Sequence, residues 1–228
     1  VMQSCVHCHQ VGEAFRAYYR DKDEPVPRER IYPMPASETI GLTLAPDAAA
    51  RITAVAAKSI ADAAGFRAGD ELVFFNGQPL ISIADFSWVL HRAPEAGVLP
   101  AVVKRAGRNV SLTVTLPAGW RSKTDISRRV GTWSMRAMAL GGLTLVDLDD
   151  AARQKRGLKL DGLALWVKAM GQFNKHAAAK KAGFLKDDVI VAVDGLQSRK
   201  TEAELIGTLL QSRMIGENGI EGHAGAEL

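Results

Sequence analysis

Two cysteines in 228 residues exclude a disulfide-dense scaffold, because they close at most one bridge. No run of 18 or more apolar residues occurs, so the sequence holds no membrane-spanning helix. Glycine (21) and proline (9) are too few, and apolar residues (47%) too many, for a collagen-like or disordered chain. The sequence also lacks a Gly-x-Ser-x-Gly elbow, a Walker-type phosphate loop and a His-Glu-x-x-His helix. It therefore points to a binding or electron-transfer module rather than to an enzyme. The chain opens on Val1 with no charged n-region and apolar h-region, and reads as a mature or trimmed fragment.

Charge of one sign is scarce as well. There are 29 Lys and Arg against 25 Asp and Glu, a net charge of +4. Residues 119–140 hold Arg121, Lys123, Arg128, Arg129 and Arg136 against Asp125 alone, which equals the whole excess. A phosphate-binding footprint spread over the surface is therefore absent, and nucleic acid is not an expected partner. The stretch reads as a solvated basic linker. Trp120 and Trp133 beside it are expected to pack on the domains. Trp88 lies off the apolar face of its helix and is expected to line a groove or contact.

The sequence does contain a repeat. Ala63-Ala64-Gly65-Phe66, then Gly69-Asp70-Glu71-Leu72, recurs as Lys181-Ala182-Gly183-Phe184, then Asp187-Asp188-Val189-Ile190, at a spacing of 118. Asn76-Gly77 and Asp194-Gly195 keep that spacing and are turn dipeptides. Gly65 and Gly183 stand where a short helix needs a left-handed last residue. Glu71–Phe75 and Val189–Val193 are rich in strand formers. Ser82 with Asp85, and Thr201 with Glu204, are capping pairs that open a helix in each copy. The first copy closes with a hairpin in which Val110, Leu112, Val114 and Leu116 alternate with polar residues. After Gln211 no such hairpin pattern follows, so the second copy looks truncated or ends differently.

Ala-Ala-Gly-Phe, a spacer, Gly-Asp-Glu-Leu and Asn-Gly together resemble the bacterial PDZ-domain pattern found beside high-temperature-requirement-type proteases. The resemblance covers about residues 38–118 and again 139–211. It implies a small, partly open antiparallel barrel with two helices, and a groove that takes an extended peptide by strand addition. On that resemblance the carboxylate-binding loops are Ile40-Gly41-Leu42-Thr43 and Leu140-Gly141-Gly142-Leu143. The helical walls are Ile83, Ser87 and Leu90, and Thr201, Ile206 and Leu209. Peptide C-termini or partner proteins are the implied ligands.

Both cysteines fall in Cys5-Val6-His7-Cys8-His9. Cys-x-x-Cys-His is the attachment signature of c-type haem: Cys5 and Cys8 form thioethers, and His9 is the proximal iron ligand. By resemblance to small cytochromes c, Met34 in Tyr32-Pro33-Met34-Pro35 is the distal ligand. Phe15, Tyr18 and Tyr19 of an expected helix over residues 12–20 would help to wall the haem. Three other readings stand beside it: a redox-active dithiol, a zinc site with His7 or His9, and an incidental disulfide. The motif followed by tandem PDZ units is similar to a bacterial family that joins a thioredoxin-7-like domain to PDZ domains, some of its members selenoproteins. That resemblance adds some weight to the alternative, a thioredoxin-linked redox role through Cys5 and Cys8 without haem and with a redox partner, and it implies an exported location. His91 and His176 read as surface or capping groups.

The expected fold class is therefore α+β and mainly β, with two PDZ-like barrels in tandem and a short helical N-terminal arm. The arm covers residues 1–37, the first PDZ domain 38–118, the linker 119–138 and the second, atypical domain 139–228. The expected function is a peptide- or protein-binding scaffold carrying haem c for electron transfer. Because haem c is attached outside the bacterial cytoplasm, a periplasmic or exported location follows, with any anchor lying before Val1.

Overall fold

The computed structural model describes residues 8–47 and 50–212. It opens on α1 (Cys8–Asp21), followed by the single turn α2 (Arg28–Ile31). Apolar Val11, Phe15 and Tyr18 stay exposed on α1, and its buried residue is Arg16, 3% exposed. The Arg16 guanidinium bonds the Arg30 carbonyl at 3.1 Å and the Ser134 hydroxyl at 3.4 Å. Burial pulls its pKa below the usual arginine value, partly opposed by the Glu13 charge. Val26 N donates to Leu210 O at 2.9 Å, and Arg28 Nε to Gln211 Oε1 at 3.0 Å. The arm is thus tied to residues 210 and 211.

Two compact units result. One runs over Tyr32–Asp125, and the other joins the arm up to Ile31 with the chain from Ile126 onward. The expected linker is divided between them. Its side chains explain why: Trp120, Arg121, Ile126 and Thr132 are buried rather than solvated. Arg121 Nη2 donates to His91 O at 2.9 Å, satisfying a carbonyl at a helix end, and Trp120 Nε1 donates to Pro94 O at 3.0 Å.

In the unit Tyr32–Asp125, a 3₁₀ turn (Ser37–Ile40) leads into β1 (Leu42–Leu44), which pairs antiparallel with β2 (Ile52–Val55). The short helix α3 (Ile60–Ala63) precedes β3 (Glu71–Phe75). A tight turn at Asn76-Gly77, both with positive φ, leads to β4 (Gln78–Pro79). Then come α4 (Ile83–Arg92) and the long hairpin β5 (Gly97–Arg105) and β6 (Arg108–Leu116). The strand order is β4-β3-β5-β6, with β1-β2 as a second, small sheet. The expected capping box at Ser82 is complete, because Asp85 N donates to Ser82 Oγ and Ser82 N to Asp85 Oδ2. Phe86 on α4 stacks on Phe75 of β3 at 5.0 Å, joining helix to sheet across the core.

In the other unit, α5 (Thr132–Leu140) leads to β7 (Leu143–Asp147), α6 (Asp150–Lys155) and β8 (Leu165–Met170). The short α7 (Ala178–Lys181), β9 (Val189–Ile190) and α8 (Glu202–Gln211) follow. The sheet order is β7-β8-β9. The charged segment between β7 and β8 folds around Arg153, 0% exposed. Its guanidinium reaches Leu148 O, Gly162 O and Asp147 Oδ1 at 2.6–2.7 Å.

The sequence repeat is also a repeat of hydrogen bonds. Ile52 N donates to Asp70 O, and Val167 N to Asp188 O, each at 2.8 Å. Asp70 Oδ2 accepts from Arg67 N at 2.9 Å, and Asp188 Oδ2 from Leu185 N at 2.8 Å. Asp194-Gly195 repeats the positive-φ turn, and Thr201 with Glu204 repeats the capping box. Among the described residues the correspondence runs as far as α8, the counterpart of α4.

Candidate functional site

β1 has two edges, and β2 uses one. Gly41 O accepts from Ala56 N, and Ala45 N donates to Arg51 O, both at 2.8 Å. Thr43 faces Ala54 between them. The alternation of an antiparallel ladder then turns the backbone groups of Leu42 and Leu44 to the opposite edge. No strand pairs along that edge among the described residues. A strand with one unpaired edge is a template for an extended peptide.

Gly41 sets the start of this edge. Its φ is +88°, and a Cβ there would fall 2.2 Å from Ser59 Cβ. Ser59 is held in place because its hydroxyl caps α3, accepting from Asp62 N at 3.1 Å. On the helical side, Ile83 and Ser87 are half-buried, whereas Leu90, Ile40 and Leu42 are 0–1% exposed. Thr43 is exposed. The predicted residues therefore divide into the accessible Thr43, Ile83 and Ser87 and the buried Ile40, Leu42 and Leu90.

Residues 51–105 match the profile of a family described as PDZ domain. The chain carries a PDZ domain. The match spans β2 to β5, the part of the unit that contains α4. Among curated proteins, the chain is 26% identical over 153 residues to a "Probable periplasmic serine endoprotease DegP-like" of Pseudomonas savastanoi pv. phaseolicola. That alignment covers 66% of this chain and 30% of the relative, so the chain spans under a third of that protein's length. Among solved structures, the HtrA-type protease AlgW with a decapeptide aligns at 18% identity and TM-score 0.31, covering 36% of this chain and 30% of that one. A serine endoprotease from Yersinia pestis aligns at 18% and 0.27, covering 33% and 29%. The PDZ domain of EpsC from Vibrio cholerae aligns at 14% and 0.26, covering 46% of this chain and 99% of that one.

The second predicted groove differs from that of the PDZ domain in one respect. Gly142 O accepts from Gly171 N at 3.0 Å, and Thr144 faces Ala169, so Leu145 stands where Leu44 stands in β1. Its outward N–H is already engaged: Leu145 N donates to Glu202 Oε1 at 2.8 Å. Glu202 is 6% exposed, and Arg136 of α5 grips it through Nε at 2.8 Å and Nη2 at 2.6 Å. The predicted residues Leu140, Gly142, Leu143 and Ile206 are buried, Gly141 and Leu209 half-buried, and Thr201 exposed as the α8 cap. Gly141 O also accepts from Ala179 N at 3.0 Å. Sequence reasoning missed Glu202, which it read only as part of a helix start. The available signal was an acid at the position where the first copy has Ile83.

The cysteine motif lies largely beyond what is described. Cys5 and His7 fall outside the described residues, and Cys8 and His9 are seen only as backbone at the start of α1. Met34 adopts a positive φ of 47°, its N–H donating to His91 Nδ1 at 3.5 Å, and it is 37% exposed. Of the proposed aromatic walls, the Phe15 ring is covered by the Arg30 guanidinium at 4.1 Å, and Tyr18 meets Tyr19 edge to face at 5.7 Å. Among the described residues no helix is long and apolar enough to cross a membrane.

Proposed function

We propose that the PDZ domain binds an extended peptide segment along the outer edge of β1, with α4 as the facing wall. The observation that carries this is the edge of β1 at Leu42 and Leu44, along which no strand pairs among the described residues; the resemblance to PDZ domains sets Ile83 and Ser87 of α4 opposite it. With Ile40, Leu42 and Leu90 buried, recognition rests mainly on main-chain hydrogen bonds, and the accessible Thr43, Ile83 and Ser87 supply selectivity. The second unit is a PDZ-like copy in which Glu202 takes the place of the peptide carbonyl at Leu145. A periplasmic or exported location is supported by the relative whose name describes it as periplasmic.

The copy difference supplies the test. Ile83→Glu sets a carboxylate against Leu44 N–H as Glu202 is set against Leu145. Titration calorimetry of the full chain against a library of C-terminal peptides is expected to find binding. Ile83→Glu is expected to weaken it tenfold or more, about 1.4 kcal/mol. Binding that survives Ile83→Glu unchanged would remove the β1 groove as the site.

A second reading concerns the N-terminal motif. Two thiols and the imidazole of His9 within five residues would suit covalent haem attachment, with Cys5 and Cys8 as the attachment residues and His9 and Met34 as the residues that would hold the iron. Bound there, the haem would supply one-electron chemistry. The alternative is a dithiol pair at the same cysteines, linked to a thioredoxin-like partner. Intact mass of protein from its native source, with a pyridine haemochrome spectrum, separates them. The haem reading expects the mass of one added haem, and an unmodified mass overturns it.

A further inference from the structure

A terminal carboxylate differs from an internal peptide carbonyl by a second oxygen and a negative charge. Holding it takes several converging N–H groups or a cation. The second unit shows what a carboxylate uses on an edge of this kind. Glu202, which accepts from Leu145 N, is also gripped by Arg136 through Nε at 2.8 Å and Nη2 at 2.6 Å.

The turn before β1 spends its N–H groups internally. Thr39 N donates to Ala36 O and Gly41 N to Glu38 O, both at 3.0 Å. Ile40 N is engaged by the i→i+3 pattern of the 3₁₀ turn Ser37–Ile40. From Thr39 to Leu42, only the Leu42 N–H turns to the outer edge. Charge does not make up the difference. The turn carries Glu38, exposed and accepting from Ser37 Oγ at 3.3 Å, and no basic residue. Gly41 is the counterpart of Gly142, and six residues before it Pro35 stands where Arg136 stands. The cation of the adjoining loop 56–59 is the exposed Lys58.

Burial points the same way. A socket for a terminal side chain has walls that water reaches until the ligand fills it. Ile40, Leu42 and Leu90, the walls that the resemblance assigns, are 1%, 0% and 0% exposed and belong to the core cluster of their unit. Packed at core density, they leave no opening for a further side chain.

We infer that the β1 edge takes an internal, extended stretch of a partner polypeptide, and that a chain end has no advantage there. The Leu42 and Leu44 N–H groups receive main-chain carbonyls, and the partner chain runs on past Gly41. The inference rests on the β1 edge as the peptide site, and it departs from the carboxylate-binding role that the resemblance gave to residues 40–43.

The test uses the full chain and one library of short peptides in three forms: free acid, carboxamide, and the same sequences extended by Gly-Ser-Gly-Ser-carboxamide. Titration calorimetry is expected to give each binder dissociation constants equal within about twofold across the three forms, since the main-chain bonds are the same in each. Amide exchange at Leu42 and Leu44 is expected to slow with every form. A free acid that binds about tenfold tighter than its amide, the effect of a charge-assisted cradle, overturns the inference and leaves the β1 groove standing. Loss of that preference in Lys58→Ala would assign the carboxylate to Lys58. Binding by none of the forms, or binding that Ile83→Glu leaves unchanged, overturns the groove reading and the inference with it.

Discussion

Alanine in place of Gly142 is expected to unfold the second unit. Gly142 has φ +91°, and a Cβ there would lie 1.9 Å from the His176 carbonyl oxygen and 2.6 Å from its carbon. Both atoms are backbone, so no rotamer change relieves the contact. Gly171 approaches the same carbonyl, with a Cβ distance of 2.1 Å, and its N–H bonds Gly142 O at 3.0 Å. The strand cannot move away without breaking that bond. Left-handed backbone costs an alanine about 1–2 kcal/mol, and the clash takes the total beyond about 4 kcal/mol. Gly195→Ala is the control. Its φ is +77° but nothing lies within 4 Å of its Cβ, so only the left-handed backbone cost of about 1–2 kcal/mol is expected. Urea unfolding followed by far-ultraviolet circular dichroism reads both. Equal losses in the two variants would mean that the approach to His176 is not a constraint.

Glu202→Ile is expected to cost about 3–5 kcal/mol, because it strands the buried Arg136 guanidinium. Arg136→Met alone should cost a similar amount by leaving the Glu202 carboxylate without its cation. Replacing both, as Arg136→Met with Glu202→Ile, is expected to recover most of the loss, since two well-packed apolar residues can match a buried ion pair. The remainder, about 1–3 kcal/mol, is the desolvated Leu145 N–H with no acceptor. A peptide carbonyl can fill that position, so the double variant is also expected to gain peptide binding at the β7 edge. Denaturant midpoints for the four proteins, completed as a double-mutant cycle, check the stability claim, and titration checks the gain. Additive losses in the cycle would show that the pair does not act as a unit.

Much of the fold was legible because it rests on local chemistry. Asn76-Gly77 and Asp194-Gly195 both adopt the positive-φ turns that their residue types favour. Ser82 and Thr201 both cap their helices with the acid three residues on. Each of these depends on neighbours within four positions, and sequence carries such information directly. The 118-residue spacing carried further, into matching bonds at Asp70 and Asp188. The glycine at position 41 was legible as a loop signal, although its reason, the Ser59 side chain 18 positions away, was not.

What the sequence determined by itself was the set of local units: turns, caps, short helices and the order in which they recur. Tertiary structure decided which edges of those units remain open. Arg121 and Arg136 looked alike in a basic stretch, yet one caps the end of α4 and the other grips Glu202, 66 positions away. Ile83 and Glu202 are the first residues of two corresponding helices, α4 and α8, and only the surrounding strand and arginine bring Glu202 to a backbone edge. Charge pairing and edge pairing join residues far apart in the chain, and no local pattern encodes which partner arrives.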